Sequence, residues 1–115
     1  MIWRLARRDY VKRKEEARHL ILSRLQHFNQ VYNFTFNRVA VRNQRSRWGS
    51  CSSKKNINFN YRLVYLSAHL VDYVIVHELC HLAQMNHSQA FWNLVAETIP
   101  DYKKRRIELH AIRMR

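Results

Sequence analysis

The feature that most constrains the fold is the segment from Ser67 to about Gln84. Leu70, Val71, Val74, Ile75, Leu79 and Leu82 recur at helical steps and form a broad apolar band rather than a narrow stripe. A helix this apolar has to be covered on more than one side. Ser67 is placed to cap its start. The 115-residue length predicts one domain over residues 1–115. Apolar residues make up 47% and charged residues 25%, the balance of a globular chain rather than a disordered one.

The flanking segments supply the cover. Tyr10, Ala17, Leu20, Ile21, Leu25 and Phe28 predict a helix from Asp9, as N-cap, to about Asn29, with Asn29 and Asn33 ending it. Phe34, Phe36, Val39 and Val41 alternate with polar residues, with a one-residue slip near Arg38 that suggests a bulged strand. Arg47–Cys51 reads as a short second strand, and residues 52–56 as a turn. Ile57, Phe59, Tyr61 and Leu63 alternate as a third strand, paired in a hairpin with the second. The expected sheet is small and mainly antiparallel. Ser88 caps a helix to about Thr98, with Phe91, Leu94 and Val95 inward, and Pro100-Asp101 starts a last, basic helix. The fold class is α+β.

Inside the apolar helix stands His77-Glu78-Leu79-Cys80-His81. At ~100° per residue the two imidazoles lie about 40° apart around the helix and one turn apart along it, so both can reach one ion. Glu78 projects beside that face, where it can hold and deprotonate a metal-activated water. With seven His and five Glu, the bare motif arises by chance in roughly 2% of such chains, so its helical setting carries the weight. His87 can join only if the chain breaks after His81 and turns back, since a continued helix would carry it about 9 Å further on. Asn86 tolerates the left-handed backbone such a turn would use, and Ser88 restarts the helix. His77, His81 and His87 are therefore the expected ligands. Zinc is the expected ion, though imidazoles also suit other divalent first-row metals. Cys80 reads as a small buried residue.

Five ordered blocks resemble the YgjP-like metallopeptidase-domain family, which belongs with the SprT-like and WLM zincins. They are Arg47-Trp48-Gly49-Ser50-Cys51, Asn58-Phe59-Asn60, Tyr73 to Leu82, Asn86-His87-Ser88 and Phe91-Trp92. The resemblance covers about Asp9 to His110. It implies a zincin-like domain, zinc on His77, His81 and His87, Glu78 as general base, and a peptide or protein substrate. The ligand spacing equals that of metzincins, but Gln84 stands at their turn glycine, which implies a different turn. The chain matches the C-terminal portion of longer members, which implies a shortened cleft or one completed by a partner.

Arg47 and Trp48 are candidate substrate contacts, on a strand that pairs with extended peptide; a packed Trp beside an ordinary turn is the alternative. Tyr102, Arg106 and His110 are candidates to stabilise charge on the scissile carbonyl. The formal charge of +13 favours anionic partners, so nucleic acid or another polyanion is a further expectation. Alternatives to a peptidase are a nucleotide phosphohydrolase and a nucleic-acid-binding module with structural zinc. Two cysteines cannot form a disulfide framework, and no apolar run marks a leader or membrane span, so the expected setting is cytoplasmic.

Overall fold

The computed structural model describes residues 2–114, with side chains for residues 4–114. Met1 and Arg115, the ends of the expected domain, lie outside the described residues. Among the described residues the fold is α+β, with four helices and a three-stranded sheet. Helix α1 spans Ile2–Tyr32; strands β1, β2 and β3 span Arg38–Arg42, Gly49–Cys51 and Asn56–Asn60. A 3-10 helix, Tyr61–Tyr65, leads to α2 (Ala68–Cys80), α3 (Gln89–Thr98) and α4 (Tyr102–His110).

Helix α1 begins seven residues before the expected start at Asp9. Leu5, Ala6, Arg7 and Arg8 are all good helix formers, so nothing stops the helix there. Asp9 is thus not an N-cap. Its carboxylate accepts the Tyr65 hydroxyl at 2.6 Å and the Tyr61 hydroxyl at 3.0 Å, tying α1 to the 3-10 helix. The hydrogen bond from Tyr65 leads the effects that hold the Asp9 carboxyl below its ordinary range. Ala17, Ile21, Leu25 and Phe28 are buried along one stripe. The other end stops where expected: Asn33 takes a left-handed φ of 54°. The Asn29 amide brackets Phe34, donating to its carbonyl and accepting from its N–H, both at 2.9 Å.

The sheet departs from the expected pairing. Strand order is β1-β3-β2; β2 and β3 form the predicted antiparallel hairpin, but β1 pairs with β3 in parallel over five residues. The sheet is mixed, not mainly antiparallel. Alternation fixes which face a side chain takes, not the direction of its partner. The cause lies in the loop between β1 and β2, which crosses the end of β3. Buried Asn60 donates to the carbonyls of Gln44 and Arg47 at 2.8 and 2.9 Å. Buried Arg62 reaches the Gln44 carbonyl at 2.7 Å and Asn43 at 3.0 Å. These bonds carry β2 to the far side of β3.

Strand limits also move: β2 begins at Gly49, leaving Arg47 and Trp48 in the loop before it. Phe34 and Phe36 lie outside β1, so the slip near Arg38 marks the strand's start, not a bulge. β3 ends at Asn60, because the Asn60 side chain accepts the Arg62 N–H and turns the chain into the 3-10 helix. Tyr61 and Leu63 stay buried, so the alternation outlasts the strand.

Helix α2 is covered as its composition demands: α1, α3, α4 and β2 all pack on it. Ile75, Val76, Leu79 and Cys80 have no exposed surface. Its last turn is thereby held rigidly between the sheet edge and α3. Among the described residues, no helix is long and apolar enough to cross a membrane.

Candidate metal centre

His77 and His81 lie one turn apart at the end of α2, and α2 stops at Cys80 rather than near Gln84. The chain then tightens: Leu82 N–H bonds to Leu79 and Ala83 N–H to Cys80, both three residues back. His81 takes right-handed backbone as the C-cap, and its Nδ1 donates to the Gln84 carbonyl at 2.9 Å. Asn86 does not make the left-handed turn expected of it. Among the described non-glycine residues only Asn33 and Lys55 have positive φ. The reversal comes from shortened helical turns locked by the His81 ring, which is why no glycine is needed at Gln84.

The reversal delivers His87. Its Nε2 lies 3.0 Å from His81 Nε2 and 3.1 Å from His77 Nε2. Among the described residues these three histidines form the one group of three or more His, Cys, Asp or Glu with ligand atoms within 4.8 Å of one another. The hydrogen bonds decide which nitrogens are available. His81 Nδ1 faces a carbonyl and His77 Nδ1 faces Glu78 Oε2 at 3.2 Å, so each Nδ1 carries the proton and each Nε2 a lone pair. At least two of the three converging Nε2 atoms thus offer the electron pairs a cation needs. Tetrahedral zinc with 2.0–2.1 Å bonds sets neighbouring nitrogens about 3.3 Å apart, close to what is found. The donor set fits such an ion.

Burial, followed by the neighbouring His77, lowers the pKa of His81, against an opposing hydrogen bond to the Gln84 carbonyl. Burial and then His77 and His81 lower that of His87. Both effects favour the neutral imidazole, the form that binds metal.

Aromatic rings from the first turn of α3 pack against the three imidazoles. Phe91, fully buried, stacks on His81 with centroids 4.4 Å apart and lies edge-on to His77 and His87 at 5.1 and 5.0 Å. Trp92 stacks on His87 at 5.8 Å and 24°. Periodicity placed Phe91 in the core; the supporting role of both rings is invisible until α3 is docked.

Glu78 lies between α2 and β2 and is 6% exposed. Gly49 is flush against it: a Cβ at Gly49 would sit 2.9 Å from Glu78 Cγ and 3.2 Å from the Asn58 carbonyl oxygen. The chain's one glycine stands where the strand backbone must approach a carboxylate closely, a need its lack of Cβ meets.

A cleft of about 620 Å³ opens over His77, Glu78 and His87. Of the predicted contacts, Arg47, Trp48, Arg106 and His110 line it. Tyr102 does not; its ring stacks behind Trp92 at 4.9 Å and 11°. Tyr73, one turn before His77, also lines the cleft; in the sequence it opens the block Tyr73 to Leu82 without a role of its own. Cys80 is not part of the imidazole group, and burial pushes its thiol up to about 12. Cys51 borders a second hollow on the other side of Glu78, and burial pushes its thiol up to about 11.

Solved structures similar to this fold include two metallopeptidase zymogens. The crystal structure of the metallopeptidase zymogen of Pyrococcus abyssi abylysin matches with a TM-score of 0.71 and 22% identity, over 79% of this chain and 92% of that one. That of Methanocaldococcus jannaschii jannalysin, also a metallopeptidase zymogen, matches with a TM-score of 0.58 and 23% identity, over 83% and 92%. No curated protein sequence matches. The model of the YgjP-like metallopeptidase domain matches residues 6–112, nearly the whole chain. The chain therefore belongs to the YgjP-like metallopeptidase-domain family.

Proposed function

We propose that the protein is a zinc-dependent peptidase with Glu78 as its general base. The observation that carries the reading is the convergence of three imidazole Nε2 atoms beside a buried carboxylate at the floor of an open cleft. Zinc bound to His77, His81 and His87 would supply Lewis acidity, making a water molecule more acidic and a carbonyl more electrophilic. Glu78 takes a proton from the attacking water and passes it to the leaving amine. Strand β2 is an edge of the sheet, so one side of Gly49–Cys51 offers backbone groups to an extended peptide. His110 on α4 lines the cleft as a donor for developing carbonyl charge, while Trp48 forms a wall.

The test is Glu78→Gln. The expected variant binds zinc in the wild-type ratio and cleaves a peptide library at least about 1,000-fold more slowly, and wild type treated with a chelator is equally inactive. A Glu78→Gln variant as fast as wild type would overturn the assignment.

A further inference from the structure

Two guanidinium groups, Arg47 and Arg106, line the cleft, and Glu78 is the one carboxylate among the described lining residues. Among the described residues three arginines do hold carboxylates: Arg24 bonds Asp72 at 2.8 and 3.0 Å, Arg13 reaches Glu16 at 3.2 Å and Arg105 reaches Asp101 at 3.1 Å. Among the described residues, neither Arg47 nor Arg106 has a carboxylate within 4.0 Å.

Arg106 is held, not loose. Its guanidinium lies over the Trp92 ring, 5.3 Å from the centroid, and the same ring stacks on His87 and on Tyr102. The stack fixes a permanent cation beside the third ligand, with its in-plane donors uncommitted. Arg47 borders both this cleft and the smaller hollow beyond Glu78, whereas Arg106 borders only the first. The unmatched charge is thus concentrated on the Trp92 side of the reacting centre.

Resting on the peptidase reading above, we propose that this side of the cleft recognises a carboxylate next to the scissile bond, bound by Arg106 with help from Arg47. Planar, two-pronged guanidinium donors match a carboxylate edge to edge. The carboxylate is that of an acidic side chain or of a free C-terminus. A neutral peptide covering these two exposed guanidinium groups would strip water from them without supplying a partner.

The test uses the zinc-loaded full chain and quenched-fluorescence peptides that differ at one position beside the cleaved bond. Glu, Gln and Lys are compared, each with a free or amidated C-terminus. We expect the carboxylate-bearing peptides to exceed their Gln or amide counterparts at least about 10-fold in kcat/KM. Arg106→Leu abolishes that ratio with zinc content unchanged, and Arg106→Glu shifts the preference toward Lys. Loss of cleavage on amidation alone assigns the carboxylate to the C-terminus; indifference to amidation assigns it to the side chain. Equal cleavage of Glu, Gln and Lys peptides overturns the proposal and leaves the peptidase reading standing. If no peptide is cut, zinc-loaded Glu78→Gln protein is titrated with the same peptides by tryptophan fluorescence. Tighter binding of the acidic peptides, lost in Arg106→Leu, then upholds the carboxylate site while the peptidase reading falls. Equal binding overturns the carboxylate site as well.

Discussion

Gly49→Ala is the sharpest probe of the link between the sheet edge and the reacting centre. The added methyl would sit 2.9 Å from Glu78 Cγ, where carbon atoms settle at about 3.5–4.0 Å. One of the two must move by about 0.6–1.1 Å. The strand cannot easily give, because Gly49 is paired with Phe59 and the same methyl would also press the Asn58 carbonyl oxygen at 3.2 Å. Glu78 therefore swings, and a displacement near 1 Å at a reacting group costs on the order of 100-fold in rate. The expected variant has zinc content equal to wild type, kcat lower by about 10- to 100-fold and KM little changed. Overpacking also costs about 1–3 kcal/mol in thermal unfolding. Most of that loss should disappear in a Glu78→Ala background, where the obstructing atoms are gone. Full kcat in a folded Gly49→Ala protein would refute the reasoning. So would zinc loss in step with activity, since it would place the damage at the imidazoles instead.

Three further outcomes follow from the geometry. Zinc at about 100 times its dissociation constant should stabilise the fold by about 2.7 kcal/mol, raising the melting temperature by roughly 10 °C in calorimetry, an increase that a chelator reverses. Trp92→Leu removes the ring stacked on His87 and should weaken zinc binding about 10-fold in competition with a chelating dye, with helical circular dichroism retained. Tyr65→Phe removes the leading cause of the lowered Asp9 pKa. A depressed carboxylate pKa stabilises the fold above the ordinary value of 3.8 and ceases to do so as pH falls through the folded value. The variant should therefore melt below wild type at neutral pH, with the gap closing at the acid end of a pH series of melting curves.

The convergence of His77, His81 and His87 was legible because its signals are local. Helical spacing pairs His77 with His81, and a helix stop followed by a restart at Ser88 brackets His87. The apolar band of α2 forecast burial on several sides for the same reason. What was hidden depends on partners distant in the chain. Asp9 resembles an N-cap in sequence, and only the Tyr61 and Tyr65 hydroxyls reveal it as a mid-helix acceptor. The parallel β1–β3 pairing is set by Asn60 and Arg62 gripping a loop some 16 to 18 residues earlier, which no strand periodicity encodes. Gly49 read as part of a short strand before a turn, and its closeness to Glu78 appears only when β2 lies on α2. Asn86 was the natural choice for a left-handed turn, but shortened helical turns reverse the chain without one.

That reversal sets what kind of change the segment from Leu82 to Asn86 can absorb. Every position there lies on backbone that any L-amino acid can adopt, and the one bond it must offer the His81 ring comes from a main-chain carbonyl that every residue type possesses. Single replacements of Met85 or Asn86 should pass almost unnoticed. Inserting or deleting one residue would instead slide the carbonyl off the ring and carry the third imidazole out of reach, so the segment is a spacer measured by its length and not by its letters.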